Sequence, residues 1–319
     1  MNTNIVFGPV PSRRLGRSVG VNNIPYKHCT YSCVYCQIGR TLKFEVNRRK
    51  YYDPEFVIES VVQYVEKTGE ANIDYVTFVP DGEPTLDINL GKEINGIKDE
   101  TKIKIAVITN GSLLFLEDVR EDLMNADLVS IKVDAISEEI FKKINRPHPK
   151  LNLQEILQGI LTFSEEYEGI IITESMFVNG INDSVEEITK IAEFLSRLRL
   201  HKAYIAVPTR PPAETWVKPA TEDTILNAHE IFSKFLKQRA ELLISYEGSL
   251  FENASQDPIQ GLLSIISVHP MRIDYAYKFL SERGYEPKEV IEQLIMENKV
   301  VLKKYRNYEF VILKTKKKT

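Results

Sequence analysis

The stretch HCTYSCVYC, residues 28–36, holds Cys29, Cys33 and Cys36, which are all the cysteines in a chain of 319 residues. An odd number of thiols in one segment argues against a disulfide framework and favours metal or redox chemistry. Three thiolates with the spacing Cys-x3-Cys-x2-Cys suit three corners of a cubane iron-sulfur cluster, with the fourth iron left open. A zinc site completed by His28 is one alternative, and three buried structural cysteines are another.

Outward from this stretch, short β-branched apolar runs alternate with amphipathic segments, the pattern of a parallel sheet covered by helices. The predicted strands span residues 17–22, 74–79, 103–109, 128–134, 170–178, 203–207 and 242–246. The predicted helices span residues 54–69, 115–126, 137–145, 152–167, 184–198 and 222–238. About six such units favour an α/β fold, a partial (β/α)6-type barrel, over a flat nucleotide-binding sheet.

The pattern changes after residue 247, and NASQDP at 253–258 indicates a polar linker. Three short helices and a hairpin with its turn near Arg306 follow, in the order of a winged helix. We therefore expect a barrel domain over residues 1–252 and a small winged-helix-like domain over residues 257–319. Lysines on the predicted hairpin favour docking of RNA or protein, although the helix that would read a groove is acidic. A packing unit with a solvated lysine tail is the alternative.

Composition excludes several classes of protein. Apolar residues make up 43% of the chain and charged residues 27%, and no apolar run approaches the roughly 20 residues of a membrane span. A net charge of −4 gives no general attraction to nucleic acid or membranes, so such binding needs a local basic patch. The N-terminal sequence MNTNIVFGPVPSRR lacks the order of a secretory signal. We expect a cytoplasmic protein with no membrane partner.

The cysteine motif follows a predicted strand and has Tyr35 just before its last cysteine, and it resembles the motif of the radical S-adenosylmethionine superfamily. The resemblance implies that Cys29, Cys33 and Cys36 bind a 4Fe-4S cluster whose open iron holds S-adenosylmethionine, with Tyr35 among the cofactor-binding residues. In this family the reduced cluster cleaves the cofactor to a 5′-deoxyadenosyl radical, which abstracts hydrogen from a substrate. The resemblance implies an oxidoreductase that needs a reductant such as flavodoxin or ferredoxin.

The stretch VPDGEPTL, residues 79–86, resembles the Gly-Gly-Glu-Pro motif of the same superfamily, with Asp81 in place of the first glycine. The resemblance implies that Gly82, Glu83 and Pro84 lie against the amino group of S-adenosylmethionine. A glycine permits close approach of the backbone, and a proline fixes φ. Taken alone, Asp-Gly-Glu-Pro would be an ordinary turn.

Polar residues at the ends of later strands extend this prediction. Asn110 lies in ITNGSLL, which resembles the stretch that faces the methionyl part of the cofactor in relatives. Alternating polar residues on the strand over 128–134 indicate a hydrated barrel interior. By resemblance, Ser130 and Asp134 contact the ribose or carboxylate of the cofactor, and Glu174 on the next strand is a candidate substrate ligand.

Four arginines are further candidates for binding the substrate. Arg13, Arg14 and Arg17 crowd beside two prolines upstream of the cysteine motif, and Arg210 lies in the proline-stiffened loop PTRPPAETW. A guanidinium group binds a carboxylate or a phosphate through two parallel hydrogen bonds, which makes these residues candidate substrate ligands. A solvated basic segment is the alternative.

Three segments, FGPVPSRRLGRS, CTYSCVYCQIGRT and PTRPPAE, together resemble the wyosine-synthase-related group of Fe-S oxidoreductases over roughly residues 6–250. Archaeal wyosine synthases hold a second cluster on three further cysteines, which this chain lacks, so the resemblance implies a single cluster and leaves the substrate unidentified. We expect hydrogen abstraction, with RNA favoured over protein as the substrate. A glycyl-radical enzyme activase and a zinc-stabilised, nucleic-acid-binding regulator without catalysis are the alternatives.

Overall fold

The computed structural model describes residues 5–79, 81–244 and 257–314. In chain order, its strands are β1 (Val6–Ser12), β2 (Gly16–Val21), β3 (His28–Cys29), β4 (Lys43–Phe44), β5 (Tyr75–Phe78), β6 (Lys104–Thr109), β7 (Leu128–Lys132), β8 (Ile170–Met176), β9 (Lys202–Ala206), β10 (Ala240–Leu243), β11 (Met271–Arg272), β12 (Val300–Tyr305) and β13 (Tyr308–Leu313). Its helices are α1 (Pro54–Thr68), α2 (Leu90–Glu100), α3 (Glu117–Leu123), α4 (Glu138–Ile144), α5 (Leu153–Glu166), α6 (Val185–Ser196), α7 (Glu222–Leu236), α8 (Pro258–Val268), α9 (Ile273–Ser281) and α10 (Pro287–Met296).

The main sheet has eight strands in the order β1-β2-β5-β6-β7-β8-β9-β10. Strands β2 and β5 to β10 pair in parallel, and β1 lies antiparallel on β2 at one edge. The α/β class and the parallel sheet predicted from the sequence are therefore confirmed. Within the described residues no pairing joins β1 to β10, so the sheet stays open at these two edges.

Alternation along the strands separates an apolar face from one that carries both a small apolar cluster and polar groups. On β7, Val129 and Ile131 are fully buried in the main hydrophobic core. Ser130 and Lys132 alternate with them along the strand and lie on the opposite face of the sheet. That opposite face carries polar groups on several strands, and Ser18 on β2 shares a buried hydroxyl hydrogen bond of 2.7 Å with Thr77 on β5. A parallel sheet with one polar face leaves room for a working cavity inside the fold.

Besides the two-residue strands β3 and β4, two longer elements of the main sheet region were not predicted from the sequence. Strand β1 is absent from the predictions, and so is α2, whose sequence LGKEINGIKDE is mostly polar and contains two glycines. Tertiary packing holds α2 in place, because a Cβ at Gly96 would lie 2.3 Å from the Cδ1 atom of Ile58 on α1. Residues 245–246 of the last predicted strand and residues 253–256 of the predicted linker lie outside the described residues.

The C-terminal part of the chain forms a unit with its own apolar core. It runs α8, β11, α9, α10, β12 and β13, and its three strands form an antiparallel sheet in the order β11-β13-β12. Leu262, Ile265, Phe279 and Ile291 are among its buried core residues. The turn of its hairpin lies between Tyr305 and Tyr308, which pair directly, where the sequence predicts it.

The C-terminal unit contacts the main sheet region at two places. Val10 of β1 packs against the core of the unit. On the other side, Tyr305 of β12 donates a hydrogen bond of 3.0 Å to the carbonyl of Pro208, in the loop after β9. The unit therefore touches both the β1 edge and the β9 loop. Across the described residues, no helix combines the length and the apolar character needed to cross a membrane.

Candidate active site

The three cysteines line one cavity of about 340 Å³ at the C-terminal ends of the parallel strands. Their loop follows β2, and its first part is the short strand β3, in which Cys29 pairs with Phe44 of β4. Cys29, Cys33 and Cys36 are all partly exposed and not joined in a disulfide. The structure therefore brings all three thiols to the surface of a single cavity.

Residues 144–148, which we call the clamp segment, fix the path of the cysteine loop. The backbone N–H of Ser32 donates to the carbonyl of Asn145 at 3.0 Å, and that of His148 donates to the carbonyl of Thr30 at 2.9 Å. These bonds run across the start of the loop and fix the path of its backbone. The sequence analysis had no signal for this contact, because the two segments are more than 100 residues apart.

Two asparagine side chains point their amide groups at cysteine sulfurs. Asn110 Nδ2 lies 3.7 Å from Cys29 Sγ, and Asn145 Nδ2 lies 3.6 Å from Cys33 Sγ. The backbone N–H of Tyr31 also donates to Cys29 Sγ, at 3.5 Å. Hydrogen bonds to cysteine sulfurs are one of the means by which proteins set the reduction potential of a bound cluster.

The cysteines are held in an environment that favours the protonated thiol when no metal is bound. Burial raises the pKa of Cys29 well above its usual range and that of Cys33 to about 12. Burial also raises the pKa of Cys36, although the charges of Lys27 and Lys132 oppose this effect. Because thiolates are the metal ligands, uptake of a cluster here releases protons.

The surroundings of the thiols fit a cluster better than a zinc ion. His28 does not face the cavity, because its Nδ1 atom pairs with Glu45 Oε2 at 3.0 Å and its ring packs edge-on against Tyr51. Within the described ranges, no three His, Cys, Asp or Glu side chains converge tightly enough to hold a single metal ion. In a cubane cluster each thiolate binds a different iron, so tight convergence on one point is not required.

The Asp-Gly-Glu-Pro loop is joined to the strand that leads into the cysteines. The N–H of Lys27 donates to the carbonyl of Asp81 at 2.8 Å, and the N–H of Glu83 donates to the carbonyl of His28 at 3.0 Å. Gly82 lies so close to this strand that a Cβ atom would be 1.8 Å from the oxygen of His28. The glycine is therefore required by the contact between the two loops.

Glu83 is buried, with 1% of its surface exposed, and four hydrogen bonds from three residues hold its carboxylate in place. The hydroxyls of Thr109 and Thr85 donate to Oε1 at 2.6 and 2.7 Å, the N–H of Thr85 donates to Oε1 at 3.2 Å, and the N–H of Asn110 donates to Oε2 at 2.8 Å. Burial raises the pKa of Glu83, and these hydrogen bonds oppose the rise. The loops after β5 and β6 are thereby joined at one buried carboxylate.

The predicted cofactor-binding residues fall into two groups in the structure. Four of them line the cavity, namely Tyr35, Gly82, Glu83 and Asn110. Three lie behind its wall, namely Pro84, Ser130 and Asp134. Pro84 begins a short 3-10 turn.

Asp134 links several elements behind the cavity wall. Its carboxylate accepts hydrogen bonds from the hydroxyl of Tyr35, from Asn145 Nδ2 at 2.7 Å and from the N–H of Met176 at 2.8 Å. One carboxylate thereby ties the cysteine loop, the clamp segment and β8 together. All three of these hydrogen-bond donors to Asp134 are groups of the protein itself.

An ion triad with the buried carboxylate of Glu174 at its centre lines the same cavity as the cysteines. Glu174 on β8 pairs with Arg14 at 2.5 Å and with Lys132 of β7. Arg14 also donates to Ser130 Oγ at 3.4 Å. Burial pushes the pKa of Glu174 upward, but the two cations outweigh this effect and hold it at about 2. The carboxylate is therefore ionised across the physiological pH range.

The remaining predicted arginines separate into lining and surface residues. Arg13 and Arg210 line the cavity. Arg17 does not reach it, because its exposed side chain pairs with Asp74 at 3.0 Å. Arg210 donates to Gln37 Oε1 at 2.9 Å and lies 2.7 Å from Nε2 of a histidine of the C-terminal unit, His269.

The contact between Arg210 and His269 places the C-terminal unit at the cavity. A guanidinium group can only donate, so Nε2 of His269 is the acceptor and its ring is neutral in this contact. The sequence analysis missed Lys27, Gln37, Asn145 and His269 as lining or supporting residues. Lys27 and Gln37 flank the cysteine motif and could have been found there, whereas nothing in the sequence places His269 beside the cysteines.

Comparison with known proteins agrees with this site. Residues 23–195 match the Radical SAM superfamily. The chain is 45% identical over 305 residues to a UPF0026 protein of Methanocaldococcus jannaschii, which covers 94% of this chain and 93% of that protein. It is 30% identical to a UPF0026 protein of Helicobacter pylori over 97% of each chain. The structure of TYW1 with a lysine-pyruvate adduct bound shares the fold, with a TM-score of 0.54 and 19% identity over 68% of this chain and 73% of that chain.

A parallel α/β sheet whose first loop carries this cysteine motif defines a radical S-adenosylmethionine enzyme. The chain belongs to the Radical SAM superfamily and, within it, to the UPF0026 proteins. Its cofactors are a 4Fe-4S cluster and S-adenosylmethionine, as in the rest of the superfamily. The family resemblance predicted from the sequence is confirmed, and so is the prediction that the protein is an enzyme.

Proposed function

We propose that the protein cleaves S-adenosylmethionine reductively and uses the resulting radical to abstract hydrogen from a substrate held in the same cavity. One observation carries this proposal: the three cysteines, the Asp-Gly-Glu-Pro loop and the ion triad all line a single cavity. Cys29, Cys33 and Cys36 are the proposed cluster ligands. When bound, the cluster supplies one electron to the sulfonium of S-adenosylmethionine.

The chain's own residues hold and shield the cofactor in this proposal. Gly82 lets its loop pack closely against the strand that leads into the cysteines, and Glu83, which lines the cavity, would hold the amino group of S-adenosylmethionine. Asn110 and Tyr35 form the adjoining walls, while Ser130, Pro84 and Asp134 support these walls from behind. Enclosed among these groups, the bound cofactor would be shielded from water at the place where a reactive radical forms.

The substrate is proposed to occupy the basic part of the cavity. Arg13, Arg14, Lys132 and Arg210 line this part together with Glu174. A guanidinium group there suits a carboxylate or a phosphate of the substrate. An RNA substrate would have to present a single nucleotide turned out of its stack, because a cavity of about 340 Å³ has no room for stacked neighbours.

The finer architecture is also a proposal. Seven parallel strands of the open sheet support a partial barrel, one strand more than the six-unit barrel expected from the sequence. The order of helices and strands in the C-terminal unit supports a winged helix. Domain limits of 1–252 and 257–319 and a cytoplasmic location stay predictions from the sequence. Superfamily membership supports catalysis over the zinc-stabilised regulator, and the glycyl-radical activase stays a prediction from the sequence.

The first test is anaerobic iron and sulfide analysis combined with electron paramagnetic resonance of the reduced protein, with and without S-adenosylmethionine. We expect close to four irons per chain and a signal that changes when S-adenosylmethionine is added. Cys33→Ala should lose the cluster, while Ser32→Ala, its neighbour in the same loop, should keep it. Stoichiometric zinc without a cluster, or a full cluster in Cys33→Ala, would contradict the proposed site.

A second test addresses the substrate. The rate of 5′-deoxyadenosine formation in the presence of dithionite should rise when total RNA is added, if RNA is the substrate. The same rate without RNA provides the control. No change with RNA, together with a rise on adding a small carboxylate or phosphate compound, would contradict the RNA assignment.

A further inference from the structure

Three fully buried polar side chains lie behind the Asp-Gly-Glu-Pro loop. Asn23 follows β2, Asp87 follows the 3-10 turn that Pro84 begins, and Glu93 lies in the first turn of α2. Each of the three has 0% of its surface exposed, and none of them lines the active-site cavity. We call these three residues the buried acidic cluster. Two carboxyl groups buried at one place cost free energy unless a partner compensates for the lost water.

Local hydrogen bonds hold the buried acidic cluster together. The carbonyl of Pro84 accepts from Asn23 Nδ2 at 3.3 Å and from the N–H of Asp87 at 3.1 Å. The N–H of Asn89 donates to Asp87 Oδ1 at 2.9 Å, and the carbonyl of Asn89 accepts from the N–H of Glu93, also at 2.9 Å. Asn23 and Asp87 therefore share one acceptor, and Asn89 links Asp87 to Glu93.

Four oxygen atoms of the buried acidic cluster have no hydrogen-bond partner of ordinary geometry among the described residues. They are Asn23 Oδ1, Asp87 Oδ2 and both Oε1 and Oε2 of Glu93. Buried polar atoms in native proteins nearly always have a partner. A water molecule can donate only two hydrogen bonds and a protonated carboxyl group only one, so neither alone satisfies four acceptors. A metal cation that prefers oxygen can take all four as ligands.

The two carboxyl groups of the cluster act on each other. Burial and the charge of Asp87 raise the pKa of Glu93 to about 9, while contact with the Asn23 side chain opposes the rise. Burial also raises the pKa of Asp87, to about 6. Both groups therefore ionise readily at neutral pH only if a positive charge lies beside them.

Arg48 does not supply this positive charge. It donates to the backbone carbonyl of Asp87 at 2.8 Å, but its ion pairs are with two other carboxylates, Asp118 and Asp122. Among the described residues, neither Asp87 nor Glu93 forms an ion pair. Two buried carboxyl groups are therefore left without a counter-charge from the part of the chain that the structure describes.

We propose that the buried acidic cluster binds a divalent cation, Ca²⁺ or Mg²⁺, through side-chain oxygen atoms of Asn23, Asp87 and Glu93. Two carboxylates balance the charge of the ion, and carboxylate and amide oxygens are ligands that both ions prefer. The site uses two acidic side chains and one amide, so it differs from the sets of three His, Cys, Asp or Glu that are absent from the described ranges. Asn89 Nδ2, a buried donor without a partner among the described residues, would donate to a water ligand of the ion.

Such a cation would support the active site from behind. It would join the end of β2, the loop after β5 and the start of α2, and this loop carries Glu83 on its cavity side. The ion would touch neither the cysteines nor the cavity, so the assignment does not depend on the radical chemistry.

The test measures cation content and thermal unfolding of the anaerobically purified protein with its cluster. After a chelating resin has removed loosely bound metal, we expect about one Ca²⁺ or Mg²⁺ per chain in addition to the iron. Adding either ion to protein treated with EDTA should raise the unfolding midpoint by at least about 3 °C. The iron content, measured in parallel, should stay the same.

Glu93→Gln removes a charge and a ligand from the cluster but keeps the size of the side chain. We expect it to retain less than about 0.2 cation per chain and to show no midpoint shift with either ion. Without added cation it should be at least as stable as the wild type, because the repulsion from Asp87 is removed. Asp87→Asn should lose the cation in the same way, since its Oδ1 can still accept from Asn89.

Glu187→Gln provides the control for the loss of a buried carboxylate. Glu187 has 1% of its surface exposed, and its carboxylate accepts from the N–H of Ile136 at 2.7 Å and from the N–H of Ser137 at 2.9 Å. Its oxygens already have donors, so it is not a candidate ligand. We expect this variant to be less stable than the wild type but to keep the cation and the midpoint shift.

Each remaining outcome decides the site. A wild type that holds no cation and shows no midpoint shift with either ion would overturn the proposal, because Glu93 would then carry a proton instead. Equal cation content in Glu93→Gln and in the wild type would mean that the ion lies elsewhere, which also overturns it. Loss of the midpoint shift in Glu187→Gln as well would show that the shift does not report on Glu93 as a ligand.

Discussion

Replacing Gly82 by alanine tests the contact between the Asp-Gly-Glu-Pro loop and the cysteine strand. The new Cβ atom would lie 1.8 Å from the carbonyl oxygen of His28 and 2.9 Å from Ile24 Cδ1. An ordinary C–H···O contact needs about 3.3 Å, so one loop must move by about 1.5 Å. The nearer of these two atoms belongs to the backbone of His28, which cannot change rotamer as the end of a side chain can.

This displacement would also move Glu83, whose carboxylate joins the loops of the site. The hydrogen bond of 3.0 Å from the N–H of Glu83 to His28 would break, because both atoms belong to the contact that has to open. We expect a loss of stability of about 1–3 kcal/mol from overpacking and about 1 kcal/mol more from the hydrogen bond. A misplacement of about 1 Å at a catalytic site costs about 100-fold in rate, so cleavage of S-adenosylmethionine should fall by about that factor.

The assay is 5′-deoxyadenosine formation with dithionite, measured beside iron content and the thermal unfolding midpoint. Gly96→Ala provides the matched control, because its Cβ would meet only the end of the flexible Ile58 side chain and alanine favours the helix that contains it. We expect that control to keep its rate and cluster. If Gly82→Ala keeps the wild-type rate within about threefold and an unchanged melting midpoint, the close contact does not position Glu83.

Two further predictions concern buried polar groups. Glu174→Gln leaves the partly buried cations of Arg14 and Lys132 without a counter-charge, so urea unfolding at pH 7 should show a loss of about 1–3 kcal/mol. The pKa of Glu174 in the folded protein is about 2, below its value in the unfolded chain. The wild type therefore keeps the stabilisation from Glu174 at neutral pH and loses it as the pH falls toward 2. If the variant loses stability in acid to the same extent as the wild type, this reasoning is refuted. Asn145→Leu removes an N–H donor from Cys33, so the cluster's midpoint potential in an electron paramagnetic resonance titration should become more negative, and an unchanged potential would contradict that role.

The sequence predicts the main sheet well because its signal is local. β-branched runs of four to seven residues with regular alternation specify a strand by themselves, and strands β2 and β5 to β10 were predicted to within a few residues. Strand β1 and helix α2 were not predicted from the sequence, for different reasons. Prolines and a glycine interrupt the apolar run of β1, and α2 is a helix with two glycines whose buried face includes Leu90, Ile94 and Ile97.

For the site, too, the sequence predicts the residues that lie in short motifs and misses contacts between residues far apart in the chain. The cysteine spacing and the Asp-Gly-Glu-Pro loop are short motifs, so the sequence identifies Glu83 and the three thiols as a group. It cannot show that Asn145 donates to Cys33, because 112 residues separate the two and many pairings of loops are compatible with the same pattern. It predicted Arg13, Arg14 and Arg17 together as substrate ligands, yet only the first two line the cavity. Arg17 pairs with Asp74 at the surface.

The arrangement of these contacts explains how the cysteine loop keeps its shape. Gly82 packs against one side of the strand that leads into it, and the clamp segment donates and accepts backbone hydrogen bonds on another. Glu214 adds a third connection, because its carboxylate accepts from Arg40, just after the cysteines, and from Arg146 of the clamp segment. Protein groups supply every one of these contacts. Preorganisation of this kind lowers the conformational cost of binding a cluster.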